Sequence, residues 1–292
     1  MAKKVHKNLA SAKHALPNFL VIGAMKCGTT SLHHYLTLHP EIFMSRQKEL
    51  SYFVEERNYS KGEAWYRAQF ESGFHACGEI SPAYTAYPVM KGVPQRIHSL
   101  LGDIRLIYVM RDPLERLLSH YIHDVAKGKE TRTFDEAMRN LENDYVWRSL
   151  YSVQLKQYLP YFTRERILLI TQEDLLNQRV STLRRIFRFL GVRDEIHVSV
   201  NRKLHTTRSK RRPSRGALSV GAMLDKVQLS KLCPRVAGVL YEMITYPISY
   251  KIEKPVVDED KHKILRKLLR DDVQCLEQLT GQKFGQWKQV RR

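Results

Sequence analysis

The chain has 292 residues, with 49 Lys+Arg against 30 Asp+Glu and a formal net charge of +19. This length suits one large α/β domain or two small ones. The charge favours polyanionic or phosphorylated partners, namely nucleic acid, acidic glycans, a membrane surface or a nucleotide. No apolar run approaches the roughly 18 residues of a membrane span. The four cysteines are scattered and form no CxxC pair, which excludes a disulfide scaffold.

The N-terminal residues 1–17 are basic and lack the apolar core that a secretory signal needs. We therefore expect a mobile lead-in and a cytoplasmic protein. Residues 19–22 form a short apolar run between Pro17 and Gly23, which is typical of a buried strand in a parallel sheet. A helix is predicted over residues 29–38, with Thr30 or Ser31 as its cap. A strand, a turn of small residues and a helix N-terminus together predict an anion site.

The turn after this strand shares part of the motif of the nucleotide-binding P-loop. Gly23 and Gly28 have the P-loop spacing and Thr30 supplies its hydroxyl, but Thr29 stands where the P-loop has lysine. The loop's own lysine is Lys26, in its middle. This arrangement indicates a phosphate site that is not built for the β,γ-phosphates of ATP. The alternative is a glycine-containing turn that binds no ligand.

Residues 48–53 form a predicted loop that contains Glu49, which is either a general base or a solvated surface charge. Residues 104–110 are the clearest strand, and they lead into Arg111 and a helix that carries Ser119 two turns on. Ligands of parallel sheets sit at the carboxyl ends of strands, so we expect Arg111 on the same edge as the Lys26 loop. Arginine favours a second phosphate there, whereas Asp112 could instead be the metal-binding acid of a nucleotidase.

Strands and helices continue to alternate through a further strand at residues 166–171, with helices predicted over 134–141, 146–162 and 262–279. This order predicts an α/β fold with a P-loop-like central parallel sheet flanked by helices in three layers, α/β/α. We expect a single domain over residues 18–292. Residues 201–215 are basic and irregular, so they are either a disordered loop or a flap over a polyanionic ligand. Phe284 and Trp287 are expected to pack onto the core.

Two motifs in this chain resemble those of sulfotransferases that use 3′-phosphoadenylyl sulfate (PAPS). Residues 19–32 are similar to the 5′-phosphosulfate loop of that family, and residues 109–121 to its 3′-phosphate motif. The resemblance implies that the nucleotide is bound by one loop and one strand end. The implied contacts are Lys26, Cys27, Gly28, Thr29, Thr30 and Ser31 for the 5′ end, and Arg111 and Ser119 for the 3′-phosphate.

The resemblance extends to the branch that includes the heparan sulfate sulfotransferases. Residues 48–53 resemble its Lys-Glu-x-His-Phe/Tyr-Phe motif, with Ser51 in place of histidine, and residues 78–84 match Glu-x-Ser-Pro-x-Tyr. Ile80 stands where the heparan enzymes commonly have lysine. These matches imply that Glu49, Ser81 and Tyr84 bind the acceptor. Residues 209–212 resemble the flap of the family, which implies nucleotide contacts from Lys210, Arg211 and Arg212.

The family's reaction implies an in-line transfer of a sulfuryl group from PAPS to a hydroxyl, or alternatively an amine, of a carbohydrate or small molecule, with PAP as the second product and no metal. Lys26 would stabilise the leaving oxygen and Glu49 would be the base. Other candidates for the base are His33, His34, His120 and His123. The alternatives are a P-loop-type nucleotide kinase, opposed by Thr29, and a non-enzymatic nucleic-acid-binding protein. The oligomeric state is open.

Overall fold

The architecture is seen in a computed structural model that describes residues 15–195, 211–213, 249–258, 260 and 262–291. Its centre is a five-stranded sheet in the order β2-β3-β1-β4-β5, and every pairing given for it is parallel. The strands are β1 (Phe19–Gly23), β2 (Ile42–Met44), β3 (Ala76–Ile80), β4 (Arg105–Met110) and β5 (Ile167–Thr171). Because β1 is the middle strand and is buried along its whole length, it takes apolar residues at consecutive positions.

Helices connect and flank these strands. They are α1 (Thr29–Thr37), α2 (Gly62–Arg67), α3 (Val93–Leu101), α4 (Pro113–Ala126), α5 (Phe134–Ala137), α6 (Asp144–Trp147), α7 (Tyr151–Lys156), α8 (Gln172–Asn177), α9 (Arg179–Leu190), α10 (Lys263–Thr280) and α11 (Lys288–Arg291). A separate antiparallel pair joins β6 (Arg211–Pro213) to β7 (Ser249–Lys251). Within the described part of the chain, none of the helices is both long and apolar enough to cross a bilayer.

The main predictions of the sequence are confirmed, with corrections at short elements. The parallel α/β sheet, the helix near residues 262–279 and the burial of Phe284 and Trp287 all agree with the structure. The edge strand β2 was not predicted, since three residues carry too little pattern. The continuous helix over 146–162 was wrong. The chain leaves the helical conformation at Leu150, whose ψ of 79° separates α6 from α7.

Gly23 brings the end of β1 close to its neighbours. A Cβ atom at this position would lie 2.0 Å from Thr85 Oγ1 and 3.3 Å from the ring of Tyr108. Only glycine fits such an approach without displacing these groups. The loop that contains Lys26 therefore leaves the sheet at a fixed point. Residues that follow the carboxyl ends of β1, β3, β4 and β5 then all border one cavity.

Candidate active site

A cavity of about 800 Å³ lies at the carboxyl ends of the parallel strands. It brings together most of the site residues that the sequence singled out. The lining includes Lys26, residues 28–31, Glu49, Arg111 and Ser119. These residues come from the turn after β1, the loop after β2 and the turn and helix after β4, so the expectation of a shared edge is confirmed.

The N-terminus of α1 opens on this cavity without a side-chain cap. Gly28 is its N-cap residue, with φ 88°, and among the described residues no side chain caps the first amides of the helix. The predicted cap by Thr30 or Ser31 was wrong, because the helix already begins at Thr29. Thr30 Oγ1 accepts a hydrogen bond from Lys48 Nζ at 2.9 Å. An uncapped N-terminus retains free N–H groups and the positive end of the helix dipole, which together favour an anion.

The backbone is strained at the two residues proposed for chemistry. Lys26 and Glu49 have φ values of 70° and 59°, and among the described residues Ser51, at 48°, is the one other non-glycine residue with positive φ. This conformation costs of order 1–3 kcal/mol per residue and is concentrated at functional sites. The strain therefore supports a role for both positions that a surface loop would not require.

Arg111 lines the cavity, and one of its N–H donors has no hydrogen-bond acceptor among the described residues. Its Nη2 contacts Glu115 Oε2 at 3.2 Å and its Nη1 donates to the carbonyl of Lys26 at 3.4 Å. Its Nε is buried and has no partner within the described residues. A buried N–H without an acceptor is costly, and an oxyanion at this position would satisfy it. Ser119, on the next turns of α4, is buried with 6% of its surface exposed.

Glu49 is joined to the start of α1 by its neighbour, Lys48. The Lys48 Nζ lies 3.1 Å from Glu49 Oε1 while it also donates to Thr30. One ammonium group thus lies between the anion site and the proposed base. Sequence reasoning did not assign Lys48 to the site, although it forms part of the same motif as Glu49. A lysine beside a glutamate carries no information about where its side chain points.

Ser81 and Tyr84, which the resemblance assigned to the acceptor, are both buried. Glu79 is fully buried and accepts hydrogen bonds from Ser81 Oγ at 2.7 Å, Tyr84 Oη at 2.7 Å and Tyr66 Oη at 2.8 Å. Burial raises the pKa of the Glu79 carboxyl. Ser81 Oγ also accepts from the amide of Ser51 at 2.9 Å. These hydroxyls therefore support the loop that carries Glu49, and neither residue is among those that line the cavity. Their contacts with the acceptor stay predictions.

Cys27 is packed inside the protein. Its thiol is fully buried and lies 3.5 Å from Tyr151 Oη, and burial raises its pKa to about 11. Its amide donates to the carbonyl of Ala24 at 3.2 Å. The thiol and the amide of Cys27 both bond to groups of the protein, so they shape the loop from inside. The contact of Cys27 with the nucleotide that the resemblance implied stays a prediction.

Two of the candidate histidines line the cavity, on the helix that contains Ser119. His120 is 3% exposed, and its pKa falls to about 2 because of burial and the nearby Arg116 guanidinium. A histidine in this state remains neutral and is a weak base. His123 also lines the cavity, whereas burial lowers the pKa of His33. Cavity residues that the sequence did not indicate include Arg57, Lys127, Arg148, Gln172 and Arg179.

The basic flap falls mostly outside the described residues. Lys210 is among the residues that are not described, so its contact with the nucleotide stays a prediction. Arg211 and Arg212 form part of β6, whose backbone pairs with Lys251 and Tyr250 of β7. Their contacts with the nucleotide likewise remain predictions.

A comparison with known families agrees with this geometry. The profile of the sulfotransferase domain family matches residues 16–221, so the chain belongs to that family. The resemblance stated above is thereby confirmed. Across 95% of the chain, the fold is similar to the whole crystallised chain of a sulfotransferase from Alicyclobacillus acidocaldarius, with 25% identity and a TM-score of 0.66.

Curated relatives come from the heparan sulfate branch. The chain is 32% identical over 187 residues to heparan sulfate glucosamine 3-O-sulfotransferase 3A1 of Mus musculus, in a match that covers 61% of the chain and 46% of that relative. It is 29% identical over 205 residues to heparan sulfate glucosamine 3-O-sulfotransferase 5 of Homo sapiens, covering 65% of the chain and 58% of that relative. The chain thus spans about half the length of these relatives.

Proposed function

We propose that the protein transfers a sulfuryl group from PAPS to a hydroxyl of a carbohydrate or small-molecule acceptor. The observation that carries this proposal is the convergence of three groups on one cavity. These are the uncapped start of α1 beside Lys26, the buried and unpartnered Nε of Arg111, and Glu49. They offer two separate anion sites and one carboxylate, which matches a donor with phosphates at both its 5′ and 3′ positions.

Each part of the site is proposed to bind one part of the donor. Bound PAPS supplies an activated sulfuryl group on its 5′-phosphate. The N-terminus of α1 holds that phosphate and Lys26 stabilises the negative charge on the leaving oxygen. Arg111 and Ser119 hold the 3′-phosphate, and Arg111 Nε gains the acceptor that it lacks. Glu49 takes the proton of the acceptor hydroxyl. Thr29, in the place of the P-loop lysine, disfavours ATP.

We propose a carbohydrate hydroxyl as the first acceptor to test. The matched relatives carry names that specify heparan sulfate glucosamine. The lining of the cavity also includes the cationic side chains of Lys127, Lys129 and Arg148, which favour an acidic glycan. Ile80 stands at the position of the family's lysine, is fully buried in β3 and supplies no charge to the cavity. The acceptor can therefore differ from those of the relatives.

Ligand binding separates the proposal from its alternatives before any acceptor is known. We expect PAP to raise the melting temperature without added magnesium, and ATP and a single-stranded oligonucleotide to have little effect. If ATP with magnesium were the one ligand that raised the melting temperature, the result would favour a kinase. Stabilisation by the oligonucleotide alone would favour a nucleic-acid-binding protein. Transfer of label from ³⁵S-PAPS to heparan sulfate, desulfated heparan sulfate and simple phenols then tests the reaction itself.

Glu49→Gln tests the base. We expect turnover to fall by roughly 10²–10⁴-fold while PAP binds with nearly unchanged affinity. Glu55→Gln is the matched control, because Glu55 follows closely in the chain and its side chain is 72% exposed. Weak PAP binding by the Glu49 variant, or turnover equal to that of the control, would contradict the assignment.

A further inference from the structure

Glu115 lies between two cations that come from distant parts of the chain. Its Oε2 contacts Arg111 Nη2 at 3.2 Å, and its Oε1 contacts the Nζ of Lys254. Each carboxylate oxygen therefore has its own cationic partner. Lys254 follows β7, which pairs with β6 in the basic segment. The contact links the segment after β7 to the side chain proposed to hold the 3′-phosphate.

The position of Glu115 creates an electrostatic problem for phosphate binding. The carboxylate is 23% exposed and lies beside Arg111, which is 18% exposed, so water screens it only in part. An unpaired carboxylate here would offset the positive charge of Arg111 and repel an incoming phosphate. Lys254 supplies the compensating charge at the other carboxylate oxygen. The Arg111 side chain then keeps both its orientation and its attraction for an anion.

We propose that Lys254 is a positioning residue for nucleotide recognition, which neutralises Glu115 so that Arg111 discriminates in favour of a 3′-phosphate. This inference rests on the proposed function, because it assumes that Arg111 meets that phosphate. Lys254 itself makes no contact with the nucleotide and acts through Glu115. Its contribution therefore depends on the 3′-phosphate and disappears when the charge of Glu115 is removed.

The test compares the binding of PAP and adenosine 5′-phosphate by isothermal titration calorimetry at low ionic strength. These probes differ in the 3′-phosphate alone. We expect Lys254→Met to weaken PAP binding by about 5-fold, the scale of one partly screened charge, and to leave adenosine 5′-phosphate binding unchanged within about 2-fold. Lys254→Arg should restore PAP binding. The effect should shrink in about 0.5 M salt, which screens exposed charges over a few ångströms.

A double-mutant cycle with Glu115→Gln distinguishes this mechanism from a general loss of positive charge. In the Glu115→Gln background, Lys254→Met should change PAP affinity by less than about 2-fold. Lys283→Met is the matched control, because Lys283 also pairs with a single carboxylate, that of Glu277, and is 80% exposed. This control should leave both affinities unchanged.

The possible failures are distinguishable. Equal weakening of both ligands by Lys254→Met, an effect that persists in the Glu115→Gln background, or no effect at all would overturn the role of Lys254. If the unmodified protein binds PAP no more tightly than adenosine 5′-phosphate, 3′-phosphate recognition fails, and with it the proposed function. Binding of PAP in preference to adenosine 5′-phosphate, combined with any of the first three results, rejects the inference and leaves the proposed function standing.

Discussion

Replacing Glu79 with leucine should destabilise the protein strongly and identify what supports the loop of Glu49. The Glu79 carboxylate accepts hydrogen bonds from Tyr66, Ser81 and Tyr84 at 2.7–2.8 Å in a fully buried site. The substitution leaves three buried hydroxyls without their acceptor, at ~1–3 kcal/mol each. Relief from burying a carboxylate recovers part of this cost. We expect the free energy of unfolding to fall by ~3–5 kcal/mol.

Urea unfolding of the Glu79→Leu and Glu79→Gln variants measures this effect. Tyr66 and Tyr84 share Oε1, so a glutamine oxygen can retain both bonds, and only the bond from Ser81 to Oε2 is lost. We therefore expect the Gln variant to lose ~1–2 kcal/mol. Because Ser81 also binds the amide of Ser51, turnover should fall more than PAP affinity in both variants. A loss below about 1 kcal/mol in the Leu variant would refute the reasoning.

Two further changes test other parts of the site. Gly23→Ala places a Cβ 2.0 Å from Thr85 Oγ1, and overpacking of this kind costs ~1–3 kcal/mol. Calorimetry should show weakened PAP binding, whereas Gly285→Ala, with open space around it, should not. His120 has a pKa of about 2 in the folded protein, below the ordinary histidine value of 6.5. The unfolded chain therefore binds one more proton below about pH 6.5, and stability falls as the pH is lowered. Between about pH 7.5 and 5.0 this contributes ~2 kcal/mol, which His120→Gln should remove in urea titrations; an unchanged acid dependence would contradict it.

The sequence was sufficient to predict the centre of the fold because the signals there are local. An apolar run between Pro17 and Gly23 specifies a buried strand, and the arginine at the end of the next long strand must reach the same edge of the sheet. The sulfotransferase motifs then predict that Lys26 and Arg111 bind one ligand. Their shared cavity follows from strand order, which a parallel sheet constrains strongly.

The directions of individual side chains could not be predicted in the same way. Ser81 and Tyr84 stand in a motif associated with the site, but their hydroxyls turn inward because Glu79 lies buried between them. Cys27 lies within the loop and yet faces Tyr151. Lys48 differs from these residues, because the sequence assigned it no role in the site. Its side chain nevertheless contacts both Thr30 and the proposed base, Glu49. In each case the orientation depends on a partner whose own direction the sequence does not specify.

The hydrogen bonds of Asp112 argue against the alternative that this residue binds a metal. Its Oδ1 accepts from the amides of Leu114 and Glu115, which makes it the cap of α4. Its Oδ2 accepts from the amides of Gln289 and Val290 at 2.8 and 3.2 Å. Both oxygens are therefore committed to main-chain donors in a site that is 3% exposed. A metal would have to displace both a helix cap and the anchor of the C-terminal segment.

The same anchoring explains how Arg111 is held at the end of β4. Glu173 Oε1 accepts from the amide of Asp112 at 3.0 Å, while its Oε2 accepts from the indole N–H of Trp287 at 3.3 Å. Tyr151 Oη donates to the carbonyl of Arg111 at 2.9 Å. The main chain around Arg111 is thus fixed by groups from α7, from the start of α8 and from the C-terminal segment. A phosphate bound by Arg111 then meets a guanidinium whose backbone is already ordered, so little of the binding energy is lost to ordering that backbone.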